Sequence, residues 1–157
     1  ESSLDVIIHN AGVGNDDNFD TIRFDEIMHQ FKVNALAPLY ITKILHHLLR
    51  PGSKIALISS RLASIELNQK GASYAYRMAK AALNMAGKNL SIDLKKEGIA
   101  VGVYSPGIVD TDMLRALGNF SGANPDLVAN KLSALIENLN SENTGCYWHI
   151  DGQILPW

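Results

Sequence analysis

Three short runs of apolar, mostly β-branched residues constrain the fold of this chain more than any other feature. They cover residues 4–8, 55–58 and 99–104 and are apolar at nearly every position rather than at alternate positions. This pattern is typical of parallel strands buried on both faces, because helices cover both sides of a parallel sheet. Residues 146–150 form a fourth candidate strand, which the turn-forming pair Asp151-Gly152 follows.

Helical patterns separate these strands. Residues 24–48 carry apolar side chains at three- and four-residue spacings, and residues 73–96 carry an apolar stripe that ends before Gly98. A third helix is predicted from Asn124-Pro125, as cap and first turn, to about Leu139. The order β-α-β-α-β-α-β predicts an α/β fold with a parallel sheet and right-handed crossovers. We expect a single domain over residues 1–157, since the chain is 46% hydrophobic and long enough to bury a core.

Composition argues against several classes of partner. The chain has 14 basic and 16 acidic residues and no Lys/Arg cluster, so we expect no nucleic-acid partner. It lacks a leader pattern and an apolar stretch of about 20 residues, which predicts no membrane span and a cytoplasmic location. The single Cys146 fits a reducing compartment. His46-His47 and His149 have no third ligand at metal spacing, so no metal site is predicted.

Tyr76 and Lys80 form the clearest candidate catalytic pair. They stand four residues apart in the second predicted helix, so both side chains project from one helix face. A nearby ammonium favours a phenolate and is expected to lower the pKa of Tyr76. The pair therefore indicates proton transfer to or from oxygen, although the same spacing also occurs on solvated helix surfaces.

Other candidate residues follow the strands, where ligands of open α/β sheets bind. Gly12-Val13-Gly14 follows the first strand, but Asp16-Asp17 would repel a pyrophosphate, which favours a plain turn over a phosphate loop. Ser59-Ser60 ends the second strand without the Gly-x-Ser-x-Gly of a hydrolase. Asn34, a polar residue amid apolar ones, is either a satisfied helix amide or a functional group.

Together these residues resemble the short-chain dehydrogenase/reductase family, and most of all its C-factor and sniffer-type carbonyl reductase branch. The matches run in family order through the whole chain: Asn10-Ala11-Gly12, Asn34, Ser59-Ser60, Tyr76-x-x-x-Lys80, and Pro106-Gly107 with Thr111. The resemblance implies a partial Rossmann-like, three-layer α/β/α fold that comprises family strands four to seven. It also implies that the amino-terminal half, which binds the cofactor phosphates, is absent from this chain.

The resemblance further implies a role for each matched residue. Tyr76 would be the general acid/base, Ser60 would polarise the carbonyl with Ser59 and Ser64 as rivals, and Lys80 would lower the pKa of Tyr76. Asn34 would hold a water that links Lys80 to solvent. The cofactor, NAD or NADP, would contact these residues: Asn10, Ala11, Gly12, Tyr76, Lys80, Pro106, Gly107, Ile108 and Thr111.

The implied function is hydride transfer between NAD(P)(H) and a small carbonyl or alcohol. The segment from residue 113 to residue 123 is expected to form part of the pocket wall. Family members form homo-oligomers through two long helices, here residues 24–48 and 73–96. The alternative is a truncated, non-enzymatic binding or signalling module of the same fold, since dinucleotide affinity depends heavily on the missing phosphate loop.

Overall fold

A computed structural model describes residues 3–118 and 121–157 of the chain. Its centre is a parallel sheet of four strands in the order β1-β2-β3-β4. The strands are β1 (Val6–His9), β2 (Lys54–Ile58), β3 (Ala100–Ser105) and β4 (Tyr147–His149). All four predicted strands are present within two residues of their expected bounds, so the prediction of a parallel α/β fold is confirmed.

Helices connect the strands as the sequence predicts. The α-helices are α1 (Phe24–Phe31), α2 (Ala37–Leu45), α3 (Tyr74–Asp93), α4 (Asp112–Ala116) and α5 (Pro125–Glu137). Short 3₁₀ segments cover His46–Leu48, Arg61–Ala63 and Lys95–Glu97. The predicted cap of α5 is confirmed, because the Asn124 side chain accepts hydrogen bonds from the first-turn amides. α4 was not predicted from the sequence.

The first predicted helix is interrupted by a wider turn. Between α1 and α2, residues Lys32–Leu36 form a π-helical segment, in which the Ala37 amide donates to the carbonyl of Lys32, five residues back. Pro38 explains why the α-helical pattern fails here, because proline has no N–H to donate to the carbonyl of Asn34, four residues before it. Such π-bulges occur frequently at functional sites.

Helices cover both faces of the sheet. On one face, Leu83 of α3 packs with Ile55, Leu57, Val101 and Val103 of the central strands. On the other face, Ile136 of α5 packs with Ala56, Ile58 and Tyr104. The alternation of core clusters along β2 and β3 confirms the expected three-layer α/β/α arrangement. It also brings the carboxyl ends of β1, β2 and β3 to one edge of the sheet.

β1 is the exception to the predicted burial. Ile7 and His9 are buried, but Val6 and Ile8 on the opposite face are 40% and 52% exposed. Burial on both faces, which the continuous apolar runs indicate, is therefore present in β2 and β3 but not in β1. The physical reason is position, because β1 lies at the edge of the described sheet and the cluster around α5 involves β2, β3 and β4. Within the described residues, no helix is long and apolar enough to span a membrane.

Candidate active site

A cavity of about 500 Å³ opens at the carboxyl ends of β1, β2 and β3. Its volume is within the usual range for small-molecule sites, and its position is where open α/β sheets bind ligands. Most of the predicted site residues line it: Asn10, Gly12, Ser60, Tyr76, Lys80, Pro106, Gly107, Ile108 and Thr111. Ala11 and Asn34 do not line it. The expected pocket wall contributes Met113, Leu114 and Leu117, while its residues 119 and 120 lie outside the described residues.

Tyr76 projects into this cavity from the first turn of α3. Burial raises the pKa of the Tyr76 phenol, and a hydrogen bond with the Ser60 side chain acts in the opposite direction. The pKa of Tyr76 is therefore raised overall, and the effect of Lys80 on it stays a prediction. A phenol with a raised pKa stays protonated near neutral pH, so Tyr76 is held in the form that can donate a proton.

Lys80 lies one helical turn after Tyr76 on α3 and is almost fully buried. Its Nζ donates to the carbonyl of Ile58, the last residue of β2, at 2.8 Å, and lies 5.8 Å from the centroid of the Tyr76 ring. Burial lowers the pKa of Lys80 to about 8. The ammonium therefore lies near the ring of Tyr76, and it loses its proton more easily than an exposed lysine does.

The three candidate serines have different surroundings. Ser59 Oγ is buried and donates to Asn84 Oδ1 at 2.6 Å. Ser64 Oγ is also buried and donates to the carbonyl of Trp157 at 3.2 Å. Ser60 is only half-buried, lines the cavity and interacts with the hydroxyl of Tyr76. Ser59 and Ser60 both line the cavity, and of the three serines Ser60 is the one whose side chain acts on the pKa of Tyr76.

Asn34 acts on the loop after β1 and not on the cavity itself. Its Oδ1 accepts from the Val13 amide at 2.9 Å and its Nδ2 donates to the Val13 carbonyl at 2.8 Å. The side chain is completely buried, so these two bonds satisfy a group that would otherwise be costly to bury. A Cβ on Gly12 would lie 3.2 Å from Asn34 Oδ1 and 3.4 Å from Lys80 Nζ. Glycine at position 12 therefore lets the loop approach Lys80 closely.

Two further residues hold Ser59 and Ser60, and neither was predicted from the sequence as a site residue. Tyr147 of β4 is fully buried and donates a hydrogen bond from its hydroxyl to the Ser60 carbonyl. Burial raises the pKa of Tyr147 to about 12, and the nearby Asn84 side chain partly opposes that rise. Asn84 also holds Ser59, as described above. Only the order of strands in the sheet brings Tyr147 to this place, so no local sequence signal indicates it.

Among residues 3–118 and 121–157, no group of three or more His, Cys, Asp or Glu side chains lies close enough together to hold a metal ion. The polar groups that line the cavity include the hydroxyls of Ser60 and Tyr76 and the ammonium of Lys80.

The sequence of this chain matches a protein-family model and several known proteins. A family model described as enoyl-(acyl carrier protein) reductase matches residues 2–152. The 1-hydroxy-2-glutathionyl-2-methyl-3-butene dehydrogenase of Rhodococcus sp. strain AD45 is 37% identical over 155 residues, which cover 98% of this chain and 69% of the relative. C-signal of Myxococcus xanthus is 38% identical over 157 residues, which cover 98% of this chain and 93% of that protein.

Solved structures agree with these relatives. The carbonyl reductase sniffer of D. melanogaster superposes with a TM-score of 0.92 at 30% identity, over 99% of this chain and 67% of that structure. A carbonyl reductase from chicken fatty liver, solved with NADPH bound, gives a TM-score of 0.89 at 27% identity over the same shares. The chain therefore belongs to the short-chain dehydrogenase/reductase family, in the branch of C-signal and the sniffer-type carbonyl reductases.

Proposed function

We propose that this chain carries the catalytic residues of an NAD(P)-dependent carbonyl reductase, with Tyr76 as the general acid. The observation that carries the proposal is that Ser60, Tyr76 and Lys80 line one cavity, with Lys80 Nζ 5.8 Å from the centroid of the Tyr76 ring. Two hydroxyls in one cavity can both donate hydrogen bonds to a single carbonyl oxygen. The membership of the family and the carbonyl reductase structures support the same reaction class.

The residues around the cavity fit the nicotinamide end of a dinucleotide. Lys80 Nζ has three N–H donors, and among the described residues it uses one of them, to the Ile58 carbonyl, so the others can reach ribose hydroxyls. Gly12 lets the first loop approach this ammonium, and Pro106, Gly107 and Ile108 provide a wall at the end of β3. When bound, the reduced nicotinamide supplies a hydride to the carbonyl carbon.

The side chains of the chain then handle the oxygen of the substrate. Ser60 Oγ donates a hydrogen bond that polarises the carbonyl, which stabilises the negative charge developing on the oxygen. Tyr76 Oη donates the proton that converts this oxygen to a hydroxyl. The pKa of Tyr76 lies above its ordinary value, so the phenol is protonated near neutral pH and can act as the proton donor in a reduction.

After proton donation, Tyr76 is left as a phenolate and must be reprotonated. The positive charge of Lys80 stabilises that phenolate, and its pKa of about 8 lets it lose and regain a proton near neutral pH. The Asn34 side chain is hydrogen-bonded to the backbone of Val13. The Asn34 backbone carbonyl does not receive the usual α-helical hydrogen bond from residue 38, because Pro38 has no N–H. We propose that this carbonyl holds the water that connects Lys80 to solvent.

The experiment that tests the proposal compares the wild type with Tyr76→Phe. Wild-type protein should oxidise NADPH or NADH in the presence of a small ketone or aldehyde, and Tyr76→Phe should reduce kcat by at least about 100-fold. Calorimetric affinity for the same cofactor should stay within about threefold, because the ring of Tyr76 remains. Unchanged turnover in Tyr76→Phe would refute the role of Tyr76.

We also propose that residues 1–157 form one domain equivalent to family strands four to seven. The strand order β1-β2-β3-β4 and the superposition over 67% of the sniffer structure support this correspondence. A single cooperative unfolding transition seen by both circular dichroism and tyrosine fluorescence is expected for one domain. Two separated transitions would contradict it.

A second candidate function is a binding or signalling module without redox activity. One observation favours it: the match to C-signal covers 98% of this chain and 93% of that relative, so the two chains have similar extent. Calorimetry with NAD(H) and NADP(H) separates the candidates. Micromolar cofactor binding by the 157-residue chain supports the reductase, whereas no binding at millimolar cofactor supports the module.

A further inference from the structure

Asp17 makes an unusual set of contacts with the start of α3, 57 residues further along the chain. Its Oδ1 accepts from the Tyr74 amide at 2.5 Å and its Oδ2 accepts from the Ala75 amide at 3.1 Å. Its backbone carbonyl accepts from the Ser73 amide at 2.7 Å. Asp17 is 8% exposed, so these bonds to the backbone of residues 73–75 are shielded from water.

The start of α3 needs this support because it has no local cap. Ser73, at the cap position, has a left-handed backbone and its side chain caps no amide of the helix. Ala72 and Ser73 both have positive φ, at 56° and 50°, which is strained for residues with a side chain. The first free amides of α3 therefore find their acceptor in a carboxylate from another loop, where the helix dipole also favours negative charge.

The loop that carries Asp17 is itself anchored at several points. Asn34 fixes Val13, and Gln30 of α1 donates from its side chain to Asn15. A Cβ on Gly14 would come within 3.0 Å of Cδ2 of Tyr76, so the loop also lies directly against the catalytic ring. Asp17 thus ties a fixed loop to the helical turn from which Tyr76 projects.

We propose that Asp17 is a positioning residue for Tyr76. Asp17 holds the first turn of α3 in the position that brings the Tyr76 phenol close to Ser60. The predicted effect of Asp17 on turnover rests on the proposed function. A displaced turn would move the proton donor relative to the carbonyl oxygen, and misplacement by about 1 Å can reduce a rate about 100-fold. Loss of Asp17 should therefore lower kcat more than it changes KM.

The test uses the full chain with Asp17→Ala and Asp17→Asn, and Asp20→Asn as the control, since Asp20 is exposed and lies in the same loop region. Hydrogen exchange at the amides of Tyr74 and Ala75 should become at least about 10-fold faster in Asp17→Ala, while the amides of residues 84–93 keep their protection. In the same variant, kcat should fall about 10- to 100-fold with KM within about threefold. Asp17→Asn keeps one carbonyl acceptor and carries the test if Asp17→Ala does not fold.

The exchange measurement keeps this proposal separate from the proposed function. If the wild type shows no turnover but Tyr74 and Ala75 exchange faster in the variants, the reductase proposal fails and Asp17 still holds the turn of Tyr76. Wild-type exchange at both amides in Asp17→Ala would overturn the proposal. So would uniformly faster exchange along all of α3, because Asp17 would then stabilise the helix as a whole rather than position its first turn.

Discussion

Lys80 Nζ donates to the Ile58 carbonyl at 2.8 Å, which joins the catalytic face of α3 to the last residue of β2. This contact removes the ammonium from water, and burial lowers the pKa of Lys80 from 10.5 to about 8. Burying the positive charge of Lys80, which would stabilise the Tyr76 phenolate, therefore lowers the free energy of unfolding. A hydrogen bond to a carbonyl offsets only part of the penalty for burying a charged group.

The pH dependence of stability should show this cost. Below pH 8, Lys80 is charged in both folded and unfolded protein and folding bears the full penalty. Between pH 8 and 10.5 the unfolded state binds more protons, so stability rises with pH, by about 3 kcal/mol for a shift of this size. Urea denaturation should show the wild type gaining about that much relative to Lys80→Met between pH 7 and pH 11.

The difference between the two proteins isolates Lys80, because the other titrating groups occur in both. Lys131→Met is the matched control, since Lys131 is exposed on α5. Its stability difference from the wild type should stay nearly constant over the same pH range. A constant difference for Lys80→Met as well would mean that the pKa of Lys80 is not lowered by folding.

Alanine substitutions should separate the three serines. Ser60→Ala removes the hydroxyl beside Tyr76, and kcat should fall about 100- to 1,000-fold, as for other single donors to a reacting oxygen. Ser59→Ala leaves the buried Oδ1 of Asn84 without its donor, which should cost about 1–3 kcal/mol of stability with kcat within about threefold. Steady-state kinetics and urea denaturation measure both effects. A larger kcat loss in Ser59→Ala or Ser64→Ala than in Ser60→Ala would reassign the catalytic serine.

The strands and helices were predictable from the sequence because their signals are local. Continuous apolar runs indicate β2 and β3, and the Asn124-Pro125 pair indicates the start of α5. β1 shows the limit of that signal, since residue pattern alone does not tell whether a neighbouring element covers Val6 and Ile8. Pro38 explains the π-helical segment, but the apolar spacing over residues 24–48 predicted one continuous helix.

Site residues could be predicted from the sequence only where their types and their order along the chain match a known set. Tyr76, Lys80 and Ser60 belong to a recognisable set, but the direction of the pKa of Tyr76 depends on burial, which the four-residue spacing does not reveal. Asp17 was interpreted as a repulsive group in a turn, and its carboxylate instead caps a helix that begins 57 residues later. Contacts of this kind depend on tertiary structure and leave no local signal.

The outer surface of α2 and α3 should mediate self-association. Its exposed apolar side chains include Leu36, Leu39, Tyr40, Ile44, Met85 and Ile92. Exposed apolar patches are typical of protein interfaces, and the family resemblance implies homo-oligomers through the two long helices. Light scattering should give a mass above the 17.1 kDa monomer, and Tyr40→Glu combined with Ile44→Glu should lower it.

Leu127→Glu is the control for the helix surface, because Leu127 is exposed to a similar degree on α5, in the opposite layer of the fold. It should leave the mass of the wild type unchanged. A monodisperse monomer of the wild type at high concentration would contradict the prediction, as would an equal loss of mass in the control.

Pro38→Ala should test whether the π-helical turn serves the catalytic lysine. Alanine restores an N–H that can donate to the Asn34 carbonyl, so the segment can relax towards a regular α-helix in which this carbonyl accepts from residue 38. Alanine also favours helix, so stability should hold or rise. If the Asn34 carbonyl holds the water that reprotonates Lys80, kcat should fall several-fold while cofactor affinity stays within about threefold. The loss should be larger in D₂O than for the wild type, because a proton transfer becomes more rate-limiting. An unchanged kcat and solvent isotope effect, with regular α-helical exchange protection at residues 36–40, would exclude a role for this turn in proton transfer.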